Sequence, residues 1–220
     1  METARQHAAD FDFLLVTAEA QTQGRGTKGR SWQSPKGNAY LTVAVRRELI
    51  PPARLRLFPL EAGLQIWETA AGFLPPSRRG ELRLKWPNDL LWEGRKAAGM
   101  LMESSGDHLL IGAGINVTAA PPISDGGTPS ACLAEAGADP DCALSLAKDF
   151  FQRLRGRLMQ MESGDVLTEW KAKALWDVPF RLRDRPGQPA VKPLDVNMDG
   201  HLRVRFEDGR EEWLVSDYLA

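Results

Sequence analysis

The chain has 220 residues, 43% of them hydrophobic and 26% charged, with 20 Gly and 15 Pro. That composition suits one full globular core with room for a small second unit, and it excludes disordered, collagen-like and coiled-coil chains. Lys and Arg number 28 against 29 Asp and Glu, so a net charge of −1 gives no global basic field for nucleic acid or an anionic membrane. No stretch approaches the roughly 20 apolar residues that span a bilayer. The opening segment carries Glu2, Asp10 and Asp12 and has no apolar run of a secretory signal. Cys132 and Cys142 form no CxxC pair and have no neighbouring histidine, which disfavours a disulfide framework or structural zinc and points to a reducing cytoplasm.

In chain order, residues 11–20 are apolar and β-rich at their centre and predict a buried strand. The glycine- and cation-rich stretch from Gly24 to Lys36 predicts no regular element. Ala39 to Val45 predicts a second strand. After Pro59, the spacing of Leu60, Leu64, Trp67 and Ala71 predicts a helix, ended by Pro75-Pro76. From Leu82 the pattern turns to hairpin-sized strands, LRLKW, LLW, KAAGMLMES and HLLIGAGINV, with turns at Glu93-Gly94 and Gly106-Asp107. Residues 119–142 read as loop. Ala147, Phe151, Leu154, Leu158 and Met161 mark one face of a helix, and Val166, Leu167, Trp170 and Ala174 a second, shorter one. Beyond Trp176, alternation at Val178, Phe180 and Leu182 and again at Leu202, Val204 and Phe206, with Asp-Gly turns at 199–200 and 208–209, predicts a small all-β module. The whole reads as α+β with a β appendage.

Three motifs carry chemistry. In QTQGRGTKGRSW, residues 21–32, three glycines let backbone N–H groups approach a ligand, and Arg25, Lys28 and Arg30 supply charge for phosphate or carboxylate. A solvated basic loop is the alternative. The same stretch nearly spells a phosphate-binding P-loop, but Pro35 and Gly37 follow where a helix is required. In KWPND, residues 85–89, Asn88 and Asp89 suit magnesium or a sugar hydroxyl, or an Asx turn. Gly112-Ala113-Gly114-Ile115-Asn116 shares part of a dinucleotide fingerprint but precedes no helix, so close strand packing is the simpler reading. His7, His108 and His201 have no triad or metal partner in sequence and read as solvated or turn residues.

Taken in order, QTQGRGTKGRSW, KWPNDLLWEGRKAAGMLME and GAGINV resemble the catalytic domain of biotin–protein ligases, enzymes that attach biotin to carrier domains of carboxylases. The similarity covers about the first 170 residues, and the tail resembles that family's SH3-like C-terminal domain. No DNA-binding helix-turn-helix precedes the motifs, as in the family's short, non-repressor form. The resemblance implies an α+β fold with a mixed or antiparallel sheet, divided into a synthetase-like catalytic unit over 1–176 and an SH3-like unit over 177–220. It implies a ligase that turns biotin and ATP into biotinyl-5′-AMP and passes the biotinyl group to a lysine of a biotin carboxyl carrier domain, with Mg²⁺. Neither nucleic acid nor membrane is an expected partner; an isologous dimer through an exposed sheet suits the fold.

By the same resemblance, Gln21, Arg25, Gly26, Thr27, Lys96 and Gly99 bind biotin, with Lys96 and Arg25 catalytic. Arg30, Trp32, Lys85, Asn88 and Asn116 lie on the nucleotide side, and Asp89 on the magnesium side. Thr27 is a departure: many members have arginine there, and Lys28 is the nearest cation. Lipoate–protein ligases share the fold and the adenylate chemistry and are the nearest alternative. A non-catalytic biotin sensor is the other, and it would have no need of Lys85 and Lys96. The family also places a Ser-Thr pair before a helix near its N-terminus. Met1-Glu2-Thr3-Ala4-Arg5 reads as the continuation of such a segment, so the expectation is a natural start upstream, with one further strand.

Overall fold

The computed structural model describes residues 1–122, 128–160 and 165–216. Six strands form one antiparallel sheet: β1 (Phe13–Ala18), β2 (Ala39–Arg46), β3 (Leu82–Lys85), β4 (Asp89–Trp92), β5 (Arg95–Ser105) and β6 (His108–Ile115). Their spatial order is β1-β2-β6-β5-β4-β3, so the last four make the meander that the turn residues announce. Glu93 and Gly94 both have positive φ (49° and 73°), the two-residue turn whose twist matches a hairpin. A cis Trp86–Pro87 peptide lies between β3 and β4.

One face of this sheet is the main core. Leu41, Val43 and Val45 of β2, Ala98, Met100 and Met102 of β5, and Leu109, Ile111 and Ile115 of β6 alternate onto it. Against them pack α3 (Phe58–Gly72), α4 (Ala143–Met159) and α5 (Val166–Lys173), while α2 (Pro52–Leu55) leads into α3. Phe58, Leu64, Ile66 and Phe150 are fully buried, each contributing roughly 1.5–3 kcal/mol through lost apolar exposure. Inside this layer sits one buried carboxylate, Glu61, paired with Arg54 and with Arg157 at 3.5 Å. Arg157 also reaches Glu169 at 2.9 Å, so the pairs bind α2 through α5 together. Asp165 caps α5 by accepting from the N–H groups of Leu167 and Thr168.

The opposite face is divided. At the β1 end it is covered by α1 (Glu2–His7), whose Ala4, with Ala8 just beyond, packs on Ala44 and Leu110 beside Leu14 and Val16. The rest of that face is open.

A second antiparallel sheet, ordered β10-β9-β8-β7, comprises β7 (Phe180–Arg181), β8 (Ala190–Val196), β9 (Leu202–Phe206) and β10 (Glu211–Leu214). Its inner residues, among them Val191, Val204 and Leu214, continue the main core rather than form one of their own. Polar ties add to this: Trp86 Nε1 donates to the Gly200 carbonyl (3.0 Å) and Lys171 pairs with Asp195 (2.7 Å).

Several expectations change. The strand expected over Val178–Leu182 shrinks to the two residues of β7, and Val178 is exposed. The buried face of α4 runs through Leu146, Ala147, Phe150, Leu154 and Leu158; Phe151 is half-buried and Met161 lies outside the described residues. His108 is buried, with Nε2 2.9 Å from the Phe11 carbonyl, and is not a solvated histidine. Cys132 and Cys142 are free thiols, both pushed up by burial. No described helix is long and apolar enough to cross a membrane.

Candidate active site

The open part of the sheet is the floor of a cleft lined by every site residue expected from the sequence. Gly99, Gly112 and Gly114 occupy its surface because neighbours lie flat on them. A Cβ on Gly114 would come within 2.7 Å of the Trp32 indole, and one on Gly99 within 2.9 Å of Lys96 Cε. The strand glycines thus serve close approach, as the simpler reading of Gly112–Asn116 has it.

Residues 24–32 fold into a tight hairpin instead of an irregular loop. The Trp32 N–H donates to the Gly24 carbonyl and the Gly26 N–H to that of Arg30, both at 2.8 Å, and a single 3₁₀ turn over Thr27–Gly29 closes the tip. Gly24 is required here, since a Cβ would strike the Trp32 carbonyl. Arg30 folds back on its own hairpin, donating to the Thr27 carbonyl (3.2 Å) and hydroxyl (2.8 Å). Arg25 is half-exposed at the cleft edge, 3.6 Å from Glu103. Gln21 Oε1 accepts a hydrogen bond from the Ser34 hydroxyl (2.9 Å), which fixes the entrance to the hairpin.

The two lysines are placed by the meander. The turn at Glu93-Gly94 sets Lys96 opposite Leu91 on the cleft face. Between Leu91 and Leu90 the partner strand takes one extra residue, Ala97, so that Ala98 faces the core and Gly99, not Ala98, stands opposite Asp89. Lys96, Asp89 and Gly99 therefore share the floor. Lys96 Nζ lies 2.6 Å from Asp89 Oδ1 and 5.2 Å from the centre of the Trp32 ring. Lys85, at the end of β3, donates to the Thr128 hydroxyl at 2.8 Å and lies 5.9 Å from the Phe180 ring. Burial holds the Lys85 ammonium below the usual lysine range; Asp89 counters this, while Lys96, Arg183 and Arg30 add to it. Positive charge is thus concentrated here in a chain of almost zero net charge.

The two asparagines line the cleft with their amides engaged elsewhere. Asn88 Nδ2 donates to the Met100 carbonyl (2.6 Å), and buried Asn116 donates to those of Ala131 (3.1 Å) and Lys96 (3.3 Å). Thr128, Phe180 and Arg183 are wall residues that the sequence reading missed. Their partners lie 40 to 100 residues away in the chain, and no local pattern marks them. Among the described residues no cluster of three or more His, Cys, Asp or Glu could hold a metal ion.

The cleft thus has a glycine floor on which the Trp32 indole lies, with cations converging around it, and the family that this chain matches is that of the biotin and lipoate attachment ligases. Residues 9–116 match the model of the biotin/lipoate A/B protein ligase family. The chain is 31% identical over 214 residues to the biotin–[acetyl-CoA-carboxylase] ligase of Mycobacterium tuberculosis, covering 94% of this chain and 78% of that one. It superposes on the biotin protein ligase of Leishmania major in complex with biotin at a TM-score of 0.77, with 28% identity over 98% of this chain and 94% of that one. The Aquifex aeolicus ligase in complex with biotin and ATP gives a TM-score of 0.73 and 25% identity, covering 93% and 86%. The chain belongs to the biotin–protein ligase family.

Proposed function

We propose that this cleft carries out both half-reactions of an ATP-dependent biotin–protein ligase. In the first, a biotin carboxylate oxygen attacks the α-phosphorus of ATP, the bond to the β,γ-phosphates breaks, and pyrophosphate leaves with the electron pair. In the second, the ε-amine of a lysine on a biotin carboxyl carrier domain attacks the acyl carbon of biotinyl-5′-AMP. The amide forms, AMP departs and the amine releases a proton. No side-chain nucleophile is needed; the work is electrostatic and positional.

The observation that carries this reading is the grouping of Lys96, Asp89 and Trp32 on a floor of Gly99 and Gly114. Lys96 is released from Asp89 to meet the carboxylate and the α-phosphate, where charge develops in the transition state. Arg25 supports it from the hairpin, with Gln21, Gly26, Thr27 and Gly99 on the biotin side. Arg30, Trp32 and Lys85 face the nucleotide, and Asn88 and Asn116 brace the wall behind it. Asp89 is the carboxylate that would hold a magnesium ion carried in on ATP, and such an ion would screen the phosphate charge. Residues 1–176 form the catalytic unit, and 177–220 an SH3-like unit that walls the cleft. A cytoplasmic home, where ATP and carboxylase carriers meet, fits this chemistry.

The test is Lys96→Ala. Loss of a cation aimed at developing phosphoryl charge costs about 3 kcal/mol, a rate loss of roughly 10²-fold. Biotin-dependent pyrophosphate release should fall by that factor in protein that stays folded, with a lower melting temperature because Asp89 loses its partner. Release at the wild-type rate would overturn the assignment.

A further inference from the structure

The segment from Thr128 to Ala131, a plain loop in the sequence, touches both lysines of the cleft. Its backbone bridges to the start of β5: the Lys96 N–H donates to the Pro129 carbonyl (2.6 Å) and the Ala131 N–H to the Lys96 carbonyl (3.0 Å). Asn116 fastens the same point by its bond to the Ala131 carbonyl. At the head of the segment, the Thr128 hydroxyl accepts the Lys85 ammonium at 2.8 Å.

In a partly desolvated site a hydrogen bond from an ammonium is strong and directional. A carboxylate in place of Thr128 would neutralise Lys85 and repel phosphate. A hydroxyl orients the ammonium and leaves its charge intact. Asp89, the carboxylate that favours the charged form of Lys85, is already engaged with Lys96. We propose that Thr128 is a positioning residue for adenylate formation: by accepting the Lys85 hydrogen bond, it holds that ammonium toward the phosphates of ATP. The proposal rests on the reading of Lys85 as a nucleotide-side cation.

The experiment compares Thr128→Val, Thr128→Ser, Lys85→Met and the Val/Met double variant by biotin-dependent pyrophosphate release, with ATP and biotin varied in turn. Thr128→Val should raise the KM for ATP about ten- to a hundredfold, the effect of one hydrogen bond to a charged group, and leave the KM for biotin and the melting temperature unchanged. Thr128→Ser should return the ATP KM to within about twofold of wild type. In the Lys85→Met background Thr128→Val should add nothing. Should valine disturb the loop, Thr128→Ala takes its place with the same expectation. If Lys85→Met is impaired toward ATP while neither Thr128→Val nor Thr128→Ala is, the proposal falls and the reading of Lys85 stands. An unchanged ATP KM in Lys85→Met overturns both. Equal rises in the two KM values together with lost stability would assign Thr128 a structural role only and overturn the proposal.

Discussion

The six-stranded sheet and the four-stranded sheet border the same cleft and share one apolar core, but the smaller leans more on polar ties. The larger sheet is fixed by apolar burial: Val43, Val45, Ile111 and Ile115 are at most 1% exposed beneath three helices, and the cleft face inherits that rigidity. The smaller sheet shares its apolar residues with the larger core and is tied on by contacts such as Trp86 to Gly200 and Lys171 to Asp195. Floor geometry is therefore set by close packing, where an added methyl matters, and wall placement by the apolar core the two sheets share together with polar ties, each worth little alone.

That contrast is broken most severely at the floor. Gly114→Val would put side-chain carbons where the Trp32 indole lies, 2.7 Å away at the Cβ alone, and overpacking of this kind costs about 1–3 kcal/mol. The ring and its hairpin should be displaced, and calorimetric titration should show the affinity for ATP reduced by about tenfold or more. Wild-type affinity would mean that the floor is more pliable than close packing allows.

At the junction, Trp86→Phe keeps one aromatic ring and deletes the ring that carries the N–H reaching Gly200. About 1 kcal/mol is lost with one net hydrogen bond, and the missing part of the indole, packed against the core, adds to it. Hydrogen exchange should speed up in β8 and β9 while β2 and β6 stay protected; uniform loss across both sheets would show that they unfold as one unit.

The smallest effect is expected for Asp195→Asn. The pair with Lys171 is more than one-third exposed on both sides, so screening limits it to about 0.2–1 kcal/mol. The Lys171 hydrogen bond holds the Asp195 carboxyl below its ordinary range. Its stabilisation is therefore complete above the unfolded-state value of about 3.9 and disappears as pH falls through the lower folded-state value. Denaturation of wild type and variant should differ at neutral pH and converge in acid. A difference that persists in acid would point to packing rather than charge.

The meander was legible because each of its signals is local: period-two alternation, and turn residues such as Glu93-Gly94 between the strands. The motif residues were legible because their order along the chain is distinctive. What escaped depends on distant parts of the chain. α1 and the turn after it offer only Ala4 and Ala8 as a face, and their burial needs Leu110, a hundred residues on. On α4, Phe150 and Phe151 are both large and apolar, and the choice between them is a 100° rotation that the sheet beneath decides. Nothing near Lys85 in sequence points to Thr128, and His108 becomes a core residue only because the Phe11 carbonyl is beside it. The hairpin within residues 24–32 was obscured by glycines, which permit many conformations and so predict none.

Between Lys96 and Gly99, β5 advances three residues while β4 advances only from Leu91 to Asp89, and Ala97 is the surplus. Faces along a strand are decided by odd or even spacing, so length changes here sort by parity. Removing Ala97 would turn the bulge into plain ladder and leave Lys96, Gly99 and Leu101 pointing as they do now. Removing or adding one residue between Gly99 and Ser105 would exchange the faces beyond it, turning Met100 and Met102 into the cleft for changes just after Gly99. The strand thus carries its odd residue where parity is indifferent to it, beside a segment whose count is fixed, and what that residue does contribute is the carbonyl that accepts the Asn116 N–H.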